Sequence, residues 1–325
     1  MNNKKRDPSI RRRTFLKGGT VATAGTAVSL TGTTLSADPS PETDDWYQDG
    51  KSPWRISLDT ATIGWGDLEK TVEVAERAGF DAIEPWMRQL EAYEENGGDL
   101  EQLGKQIKKR GLDVPSVIGL WDAIPHKRST FESSLKDTRR RMRMASDLGA
   151  NHVQTIPAKE GTLDLNWAAE AYGKILEIGL EEYDILPALV FVKFFSLKTF
   201  PEAAHVALMT NHPQARIIPD TFHMHISGSG LNGLRHLNGD FIAILQFNDA
   251  PSEPAREDLS DSDRVMPGDG ILPLKQVLRD LHTVDFDGCI SLELYNPKYQ
   301  EMDSLKAAKL GLNKTVGVIH RAMQQ

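Results

Sequence analysis

Short apolar runs alternate with longer amphipathic stretches from about Trp54 to the end of the chain. Eight of the short runs are rich in β-branched residues and bounded by turn residues, which predicts strands. These strands begin near Arg55, Asp81, Val114, Asn151, Leu186, Arg216, Ile242 and Cys289. The stretches between them repeat apolar residues three and four positions apart, as in Leu68, Val72 and Ala75, and several end at a glycine that suits a helix C-terminus. Eight strand–helix repeats predict an α/β fold, a single-domain (β/α)8 or TIM barrel over residues 54–325, with an open doubly wound sheet as the alternative.

Composition narrows the function classes. The chain has 325 residues, of which 39% are hydrophobic and 26% charged, so it is neither disordered nor fibrous. Neither GxGxxG nor GxxxxGK[ST] follows the first predicted strand, and no nucleotide cofactor is therefore expected. The single cysteine, Cys289, cannot form an intrachain disulfide, so the fold must depend on core burial.

The first 37 residues differ from the rest of the chain. They carry a net charge of +6. Because the whole chain has a net charge of −8, the other 288 residues carry −14. Such an acidic body argues against nucleic-acid binding, which requires clustered basic residues. The run Arg11-Arg12-Arg13-Thr14-Phe15-Leu16-Lys17, followed by a mildly apolar segment, resembles a twin-arginine export signal. We therefore expect a signal over 1–37, a linker over 38–53 and a periplasmic or extracellular location, with a plain basic tail as the alternative.

The apolar segment of this leader is too polar to predict a membrane span. Whether the leader is cleaved, and whether the protein forms oligomers, stay open at this stage.

Polar residues stand where the predicted strands end. In a (β/α)8 barrel these ends converge on one face, where catalytic groups gather. The residues at the predicted strand ends are Asp59, Thr60, Glu84, Trp86, Trp121, Asp122, Asp220, His223, Gln246, Asn248, Asp249 and Glu293.

Five segments at these ends carry a resemblance to a known family. They are Phe80-Asp-Ala-Ile-Glu84-Pro-Trp86, Pro219-Asp220-Thr-Phe-His223, Phe247-Asn248-Asp249, Arg264-Val-Met-Pro267-Gly-Asp-Gly270 and Ser291-Leu-Glu293-Leu-Tyr-Asn296. In their order and strand positions they resemble the sugar phosphate isomerase/epimerase family of xylose isomerase-like TIM barrels, from Arg55 to about Ala322. The resemblance implies isomerisation or epimerisation of a small carbohydrate. It also implies a divalent metal, often manganese, that is held by Glu, Asp, His and Glu at the ends of strands five to eight and polarises a carbonyl.

The sequence departs from this pattern at two of the four ligand positions. Asp220 and Glu293 match strands six and eight, but Val190 stands at the strand-five position and Gln246 at the strand-seven position. A valine cannot bind a cation, and glutamine offers only a neutral carbonyl oxygen. Two alternatives follow: weak binding of manganese or magnesium by Asp220, Glu293 and Gln246, or no metal at all. The Lys193 ammonium could then replace part of the lost positive charge.

The same resemblance suggests roles for the remaining residues. Glu293 is expected to be the catalytic base, and His223 is expected to orient the substrate. The residues expected to contact substrate are Glu84, Trp86, Trp121, Asn248 and Arg256. The loop that contains Arg256 and Arg264 has two interpretations, because its arginines could bind substrate or pair with neighbouring aspartates.

Three functions therefore remain in view. The first is an exported carbohydrate isomerase or epimerase that moves a proton next to a carbonyl, and a keto-sugar lyase or hydratase is closely related to it. The loss of a carboxylate at Val190 weakens two-base epimerisation most. The second is a non-catalytic carbohydrate- or partner-binding barrel that has lost its metal ligands. The third, a DNA endonuclease on the same barrel, is disfavoured by the altered ligands and the acidic body.

Overall fold

The computed structural model describes residues 46–324. The predicted twin-arginine signal over 1–37 and most of the predicted linker lie outside the described residues. Within the linker, Tyr47 and Ser52 pair across a tight turn, and the side chain of Gln48 donates hydrogen bonds to the Gly79 carbonyl at 3.0 Å and to Asp81 at 2.9 Å. Residues 47–52 are thus joined to the body that follows, a few positions before the predicted start at 54.

Strands and helices alternate through the described chain. The strands are β1 (Arg55–Asp59), β2 (Ala82–Glu84), β3 (Ser116–Ile124), β4 (His152–Pro157), β5 (Leu186–Val190), β6 (Ile217–Ile218), β7 (Ile244–Phe247) and β8 (Cys289–Leu292). The helices are α1 (Leu68–Ala78), α2 (Met87–Glu95), α3 (Leu100–Lys109), α4 (Phe131–Asp147), α5 (Leu165–Glu182), α6 (Phe200–Met209), α7 (Thr221–Ile226), α8 (Leu274–Thr283), α9 (Pro297–Gln300) and α10 (Ser304–Met323).

All of the strand pairs are parallel and follow chain order around a closed barrel. Continuous pairing gives two four-stranded arcs, β2-β1-β8-β7 and β3-β4-β5-β6. Isolated bridges join the arcs, Trp86 to Ile118 on one side and Asp220 to Gln246 on the other. The predicted (β/α)8 barrel is confirmed, each strand begins within two residues of its predicted start, and the open sheet is excluded.

Local sequence explains why the helices begin and end where they do. For α1, the Asp67 side chain accepts a hydrogen bond from the Lys70 amide at 3.1 Å, which caps the first turn. Gly79 closes the helix with a φ of 92°, a left-handed conformation that costs glycine little. The apolar face between these caps, which includes Leu68 and Val72, is buried.

The core has two layers, as a barrel requires. A large cluster lies between the strands and the surrounding helices and includes Leu58, Leu189 and Leu245. A smaller cluster is formed by the alternate strand positions and lines the barrel interior, with Ile118 and Val190 among its members. No helix of the described chain is long and apolar enough to cross a membrane.

A carboxylate fixes the long loop that follows β7. Asp249 accepts backbone hydrogen bonds from Ala250 and Leu272 at 2.9 Å on one oxygen, and from Gly268 and Gly270 at 3.0 Å on the other. The loop between these points carries the side chains described in the next section. Since four amide groups converge on one buried carboxylate, this loop is held firmly against the end of the barrel.

Replacing Asp249 by asparagine should destabilise the protein by about 2–4 kcal/mol, because an amide nitrogen would then face N–H groups that have no other partner. Urea unfolding followed by circular dichroism measures the change. The exposed Asp269→Asn substitution in the same loop is the matched control and should cost much less. An equal effect of both substitutions would contradict the role given to Asp249.

Candidate active site

A small cavity opens at the carboxyl end of the barrel strands, with a volume of about 140 Å³. Its wall combines apolar interior residues with a polar side formed by the ends of β4, β6, β7 and β8. The residues lining it are Trp86, Ile118, Trp121, Gln154, Ile156, Val190, Phe191, Val192, Phe195, His223, Gln246, Asp261, Arg264, Glu293 and Tyr295. A larger cavity of about 250 Å³ lies at the opposite end, where the strands begin. In this fold the end at which the strands begin serves stability rather than catalysis.

A buried arginine lies at the centre of the polar side. The guanidinium of Arg264 has an exposed fraction of 1% and donates from Nη1 to Asp220 Oδ2 at 2.5 Å and to Glu293 Oε2 at 2.9 Å. Its Nη2 contacts His223 Nε2 at 3.0 Å and Asp261 Oδ1 at 2.8 Å, and its Nε contacts the same Asp261 oxygen at 3.2 Å. All five N–H groups of the guanidinium therefore have partners.

The chain brings these groups together by simple local means. Asp220 is the N-cap of α7, and its Oδ1 accepts from the His223 amide at 2.8 Å, which sets the imidazole one turn into the helix. Asp261 begins a short 3-10 turn, Asp261–Asp263, that presents Arg264 directly after it. The side chain of Asn296 donates to the Arg264 carbonyl at 3.0 Å and fixes the backbone at that point.

The contact with Arg264 determines the tautomer of His223. A guanidinium can only donate hydrogen bonds, so Nε2 must accept and the proton of the neutral ring lies on Nδ1. Burial lowers the pKa of His223, although the charge of Asp220 acts in the opposite direction. The lowered pKa favours the neutral form. Nδ1 is buried and has no hydrogen-bond partner among the described residues. His223 lines the cavity, and its ring therefore carries a buried, unpaired N–H group beside the cavity wall.

The two carboxylates beside Arg264 differ in their proton affinity. Burial alone would raise the pKa of Asp220, but the charge of Arg264, with His223 and hydrogen bonds, lowers it to about 2. Burial raises the pKa of Glu293 well above its usual value despite Arg264, and the charges of Asp59 and Asp220 add to this. Asp220 is thus the ionised partner of the guanidinium, whereas Glu293 is the better proton acceptor.

Glu293 is also held rigidly. Its Oε1 accepts from Gln246 Nε2 at 2.9 Å and from the Tyr295 hydroxyl at 2.7 Å. These two donors and Arg264 keep the carboxylate in one rotamer at the cavity wall, which is the condition for a positioned acid or base.

A second pair of buried carboxylates lies beside the first. Glu84 accepts from Gln154 at 2.8 Å and from Ser291 at 2.6 Å, and burial raises its pKa to about 7. Burial and the charge of Glu84 raise the pKa of Asp59 well above its usual value, and Asp59 Oδ2 has no hydrogen-bond partner among the described residues. This part of the barrel therefore retains protons at a pH where exposed carboxyls have lost them.

Aromatic rings form the opposite wall. Trp86 and Trp121 are tilted against each other with centroids 5.6 Å apart, and the ring of Tyr295 lies edge-on to Trp86 at 5.9 Å. The Trp86 indole donates to Asp59 Oδ1 at 3.2 Å, which fixes its orientation. Flat apolar faces of this kind suit the C–H faces of a polyhydroxylated ring.

The structure brings most of the sequence-predicted site residues together, but not all of them to the cavity. Trp86, Trp121, His223, Gln246, Glu293 and Val190 line it. Glu84 and Asn248 are fully buried and support other side chains, since Asn248 donates to Asp220 at 3.2 Å and exchanges hydrogen bonds with Thr221.

Arg256 is not at the cavity. Its guanidinium is 47% exposed and pairs with Glu257 at 2.8 Å, so the structure does not place it as a substrate contact. Arg264, from the same loop, enters the barrel mouth and pairs with Asp261, which is the second of the two interpretations offered for this loop. Lys193 is not among the cavity-lining residues, and the positive charge expected from it is supplied by Arg264.

Sequence reasoning missed Gln154 and Tyr295, and it named Asp261 only as one of the aspartates that could pair with the loop arginines. Gln154 is a polar residue within the otherwise apolar β4, and that interruption was its signal. Tyr295 follows Glu293 by two positions and shares its side of the chain. Asp261 lies in a loop, where no periodicity marks it.

The donor set does not fit a divalent metal. Asp220 Oδ2, Glu293 Oε2 and His223 Nε2 are all directed at the guanidinium, and Val190 offers no ligand atom. Gln246 presents its amide N–H group, not its oxygen, to Glu293. Across residues 46–324, no three His, Cys, Asp or Glu side chains are arranged to hold a metal ion.

Stability should depend on pH through Glu84. Its pKa in the folded protein is raised to about 7 from an ordinary value of 4.5, so the folded state binds more protons than the unfolded chain between these values. Stability is therefore lost as pH rises through this window, by roughly 3 kcal/mol for a shift of this size.

The Glu84→Gln variant should lack this part of the pH dependence. Urea unfolding at several values between about pH 5 and pH 8 should show the variant gaining stability relative to the wild type as pH rises. Glu95→Gln, at an exposed position, is the control and should show no such trend. A constant difference between Glu84→Gln and the wild type across this range would contradict the raised pKa.

Comparisons with known proteins agree with this architecture. The inosose isomerase of Bacillus licheniformis is 24% identical over 276 residues, which cover 81% of this chain and 96% of that protein. The 3-dehydroshikimate dehydratase of Pseudomonas putida is 24% identical over 267 residues, 79% of this chain but 40% of the longer relative. A crystal structure of the IolI protein with a binding zinc atom superposes with a TM-score of 0.76 at 23% identity, over 83% of this chain and 100% of that one.

A family assignment follows from the extent of the match. Residues 72–314 fit the sequence pattern of the family described as xylose isomerase-like TIM barrel, which is most of the described chain. The strand order, the cavity at the strand ends and the carboxylates on β6 and β8 are consistent with that match. The chain belongs to the xylose isomerase-like TIM barrel family.

Proposed function

We propose that this protein is an exported isomerase that moves a proton next to the carbonyl of a polyhydroxylated ring ketone. One observation carries the proposal. A carboxylate with a raised pKa, Glu293, and a histidine with an unpartnered N–H group, His223, line the same cavity and both contact the Arg264 guanidinium. A base and a hydrogen-bond donor in one cavity are what proton abstraction next to a carbonyl requires.

The substrate class follows from the cavity and from the relatives. Inososes and 3-dehydroshikimate are both hydroxylated ketones built on a six-membered carbon ring, and the relatives are named for reactions of these compounds. The Trp86 and Trp121 faces suit such a ring, and Gln154 and Gln246 offer hydrogen bonds to hydroxyl groups. A volume of about 140 Å³ favours a single ring over a longer saccharide.

The proton movements can be assigned to atoms. Glu293 takes the proton from the hydroxyl-bearing carbon next to the carbonyl. The electron pair of that C–H bond forms the carbon–carbon double bond of an enediolate, and the π pair of the carbonyl moves onto its oxygen. The Nδ1–H of His223 donates to this oxygen as negative charge develops there. The neighbouring hydroxyl then gives its proton to the enediolate oxygen, and Glu293 returns its proton to the former carbonyl carbon, which moves the ketone by one position.

Dehydration is the second candidate, and Val190 favours it. The valine leaves no second carboxylate at the strand-five end, which disables proton delivery from the opposite side and spares a one-base elimination. After the same abstraction, loss of hydroxide from the next carbon, combined with a proton, gives water and a conjugated enone. The named dehydratase relative supports this outcome.

Export is proposed from the leader alone. The paired arginines, Phe15-Leu16-Lys17 and the mild apolar run resemble a twin-arginine signal, a route that carries folded proteins. Fusion of residues 1–45 to a reporter that is active only outside the cytoplasm tests this part separately.

The reaction is tested by incubating the protein with an inosose, and separately with 3-dehydroshikimate, in D2O. Deuterium should enter the carbon next to the carbonyl, measured by proton NMR, or a conjugated product should appear in the ultraviolet spectrum. Replacing Glu293 by glutamine keeps its size and should lower the rate by about 10²–10⁴-fold, since it removes the base.

Glu257→Gln is the matched control and should keep the wild-type rate. Glu257 lies in the long loop that follows β7, and its side chain is 68% exposed. Thermal unfolding of both variants shows that they are folded. Full activity of Glu293→Gln would rule out Glu293 as the base. Binding of the ketones to the wild type without any exchange would instead favour the non-catalytic binding barrel.

A further inference from the structure

We infer that the Arg264 guanidinium replaces the divalent cation at the centre of this barrel mouth, so that the protein needs no metal there. The inference concerns the cation of the site and holds whichever ring ketone binds. Its failure is therefore distinguishable from failure of the proposed reaction.

The first support is position. The ends of β5, β6, β7 and β8 carry Val190, Asp220, Gln246 and Glu293, the four positions at which the family places its metal ligands. The two that remain carboxylates, Asp220 and Glu293, both bind Nη1 of Arg264, at 2.5 and 2.9 Å. One nitrogen thus joins two carboxylates from separate strands, as a shared cation would.

The second support is charge. A valine in place of a glutamate removes one negative charge from the ligand set, and a guanidinium in place of a divalent ion removes one positive charge. Glutamine in place of a neutral histidine changes nothing, so the formal charge of these four positions together with their cation is conserved. The charge lost with the glutamate at Val190 is thus matched by the smaller charge of an arginine in place of a divalent ion.

The third support is geometry. A guanidinium is planar and larger than a metal ion, and it needs partners in its plane rather than around a sphere. Asp261, which lies outside the four strand-end positions, supplies an in-plane acceptor for Nε and Nη2. His223 supplies the other through Nε2. With all five N–H groups paired, a metal could enter only by breaking this set of hydrogen bonds.

The wild type should therefore bind no Mn²⁺ in the site, even though two carboxylates are present. Restoring the lost ligands with Val190→Glu and Gln246→His should not suffice, because Arg264 still occupies the position. Adding Arg264→Ala should open it. The triple variant should bind one Mn²⁺ at least about tenfold more tightly than the double variant, because the Arg264 guanidinium no longer competes with the ion for Asp220 and Glu293.

Calorimetric titration of the full chain with MnCl2 measures these affinities, and Mn²⁺ should also raise the melting temperature of the triple variant. Arg235→Ala in the double-variant background is the control. Arg235 forms an ion pair of 3.0 Å with Asp280 and does not line the cavity. Equal affinity in the double and triple variants, or stoichiometric Mn²⁺ in the wild type, would overturn the inference.

If the triple variant does not fold, the single Arg264→Ala variant gives the same information by chemical rescue. Millimolar methylguanidinium should raise its melting temperature and leave that of Arg235→Ala unchanged. Absence of any rescue by methylguanidinium would count against a guanidinium-shaped cation site.

Discussion

The barrel mouth depends on one buried positive charge. Asp220, Glu293, Glu84 and Asp59 are all inaccessible to solvent, and Arg264 is the basic side chain that lies among them within the described residues. Burying ionised groups without partners costs several kcal/mol each, so this arrangement needs both a cation and retained protons. Arg264 neutralises Asp220, and burial raises the pKa values of Glu84 and Asp59, so these two carboxyl groups retain protons at a pH where exposed ones have lost them.

The same charge organises the chemistry. By occupying Nε2 of His223, Arg264 leaves the Nδ1 proton for a ligand, and by holding Oε2 of Glu293 it fixes a carboxylate whose basicity burial has raised. The guanidinium has no donor left for substrate, so it acts through its neighbours and is a positioning group. In the proposed reaction, proton transfer is carried by Glu293 and His223, and the positive charge beside them is that of Arg264.

Much of the fold could be predicted from the sequence, because the barrel rests on periodic burial. The strand starts and the buried faces of α1, α3 and α4 follow the apolar repeats, and Gly79 ends α1 as expected. The residues at the strand ends were also predictable, since parallel strands must end together. The position of Arg264 was not, because it lies in a loop without periodicity and reaches partners 29 to 44 residues away in the chain. Arg264 opens one of the five segments that resemble the family, but that segment does not show its partners, and only the fold shows that Arg264 and not Arg256 enters the mouth.

The central claim, that a guanidinium takes the place of a divalent cation, is tested most directly by a crystal of the wild-type protein grown in millimolar MnCl2. Diffraction data collected at the manganese absorption edge would locate any bound ion. The account predicts planar guanidinium density between Asp220 and Glu293 and no anomalous peak there. An anomalous peak between these carboxylates, with the Arg264 side chain displaced, would contradict it.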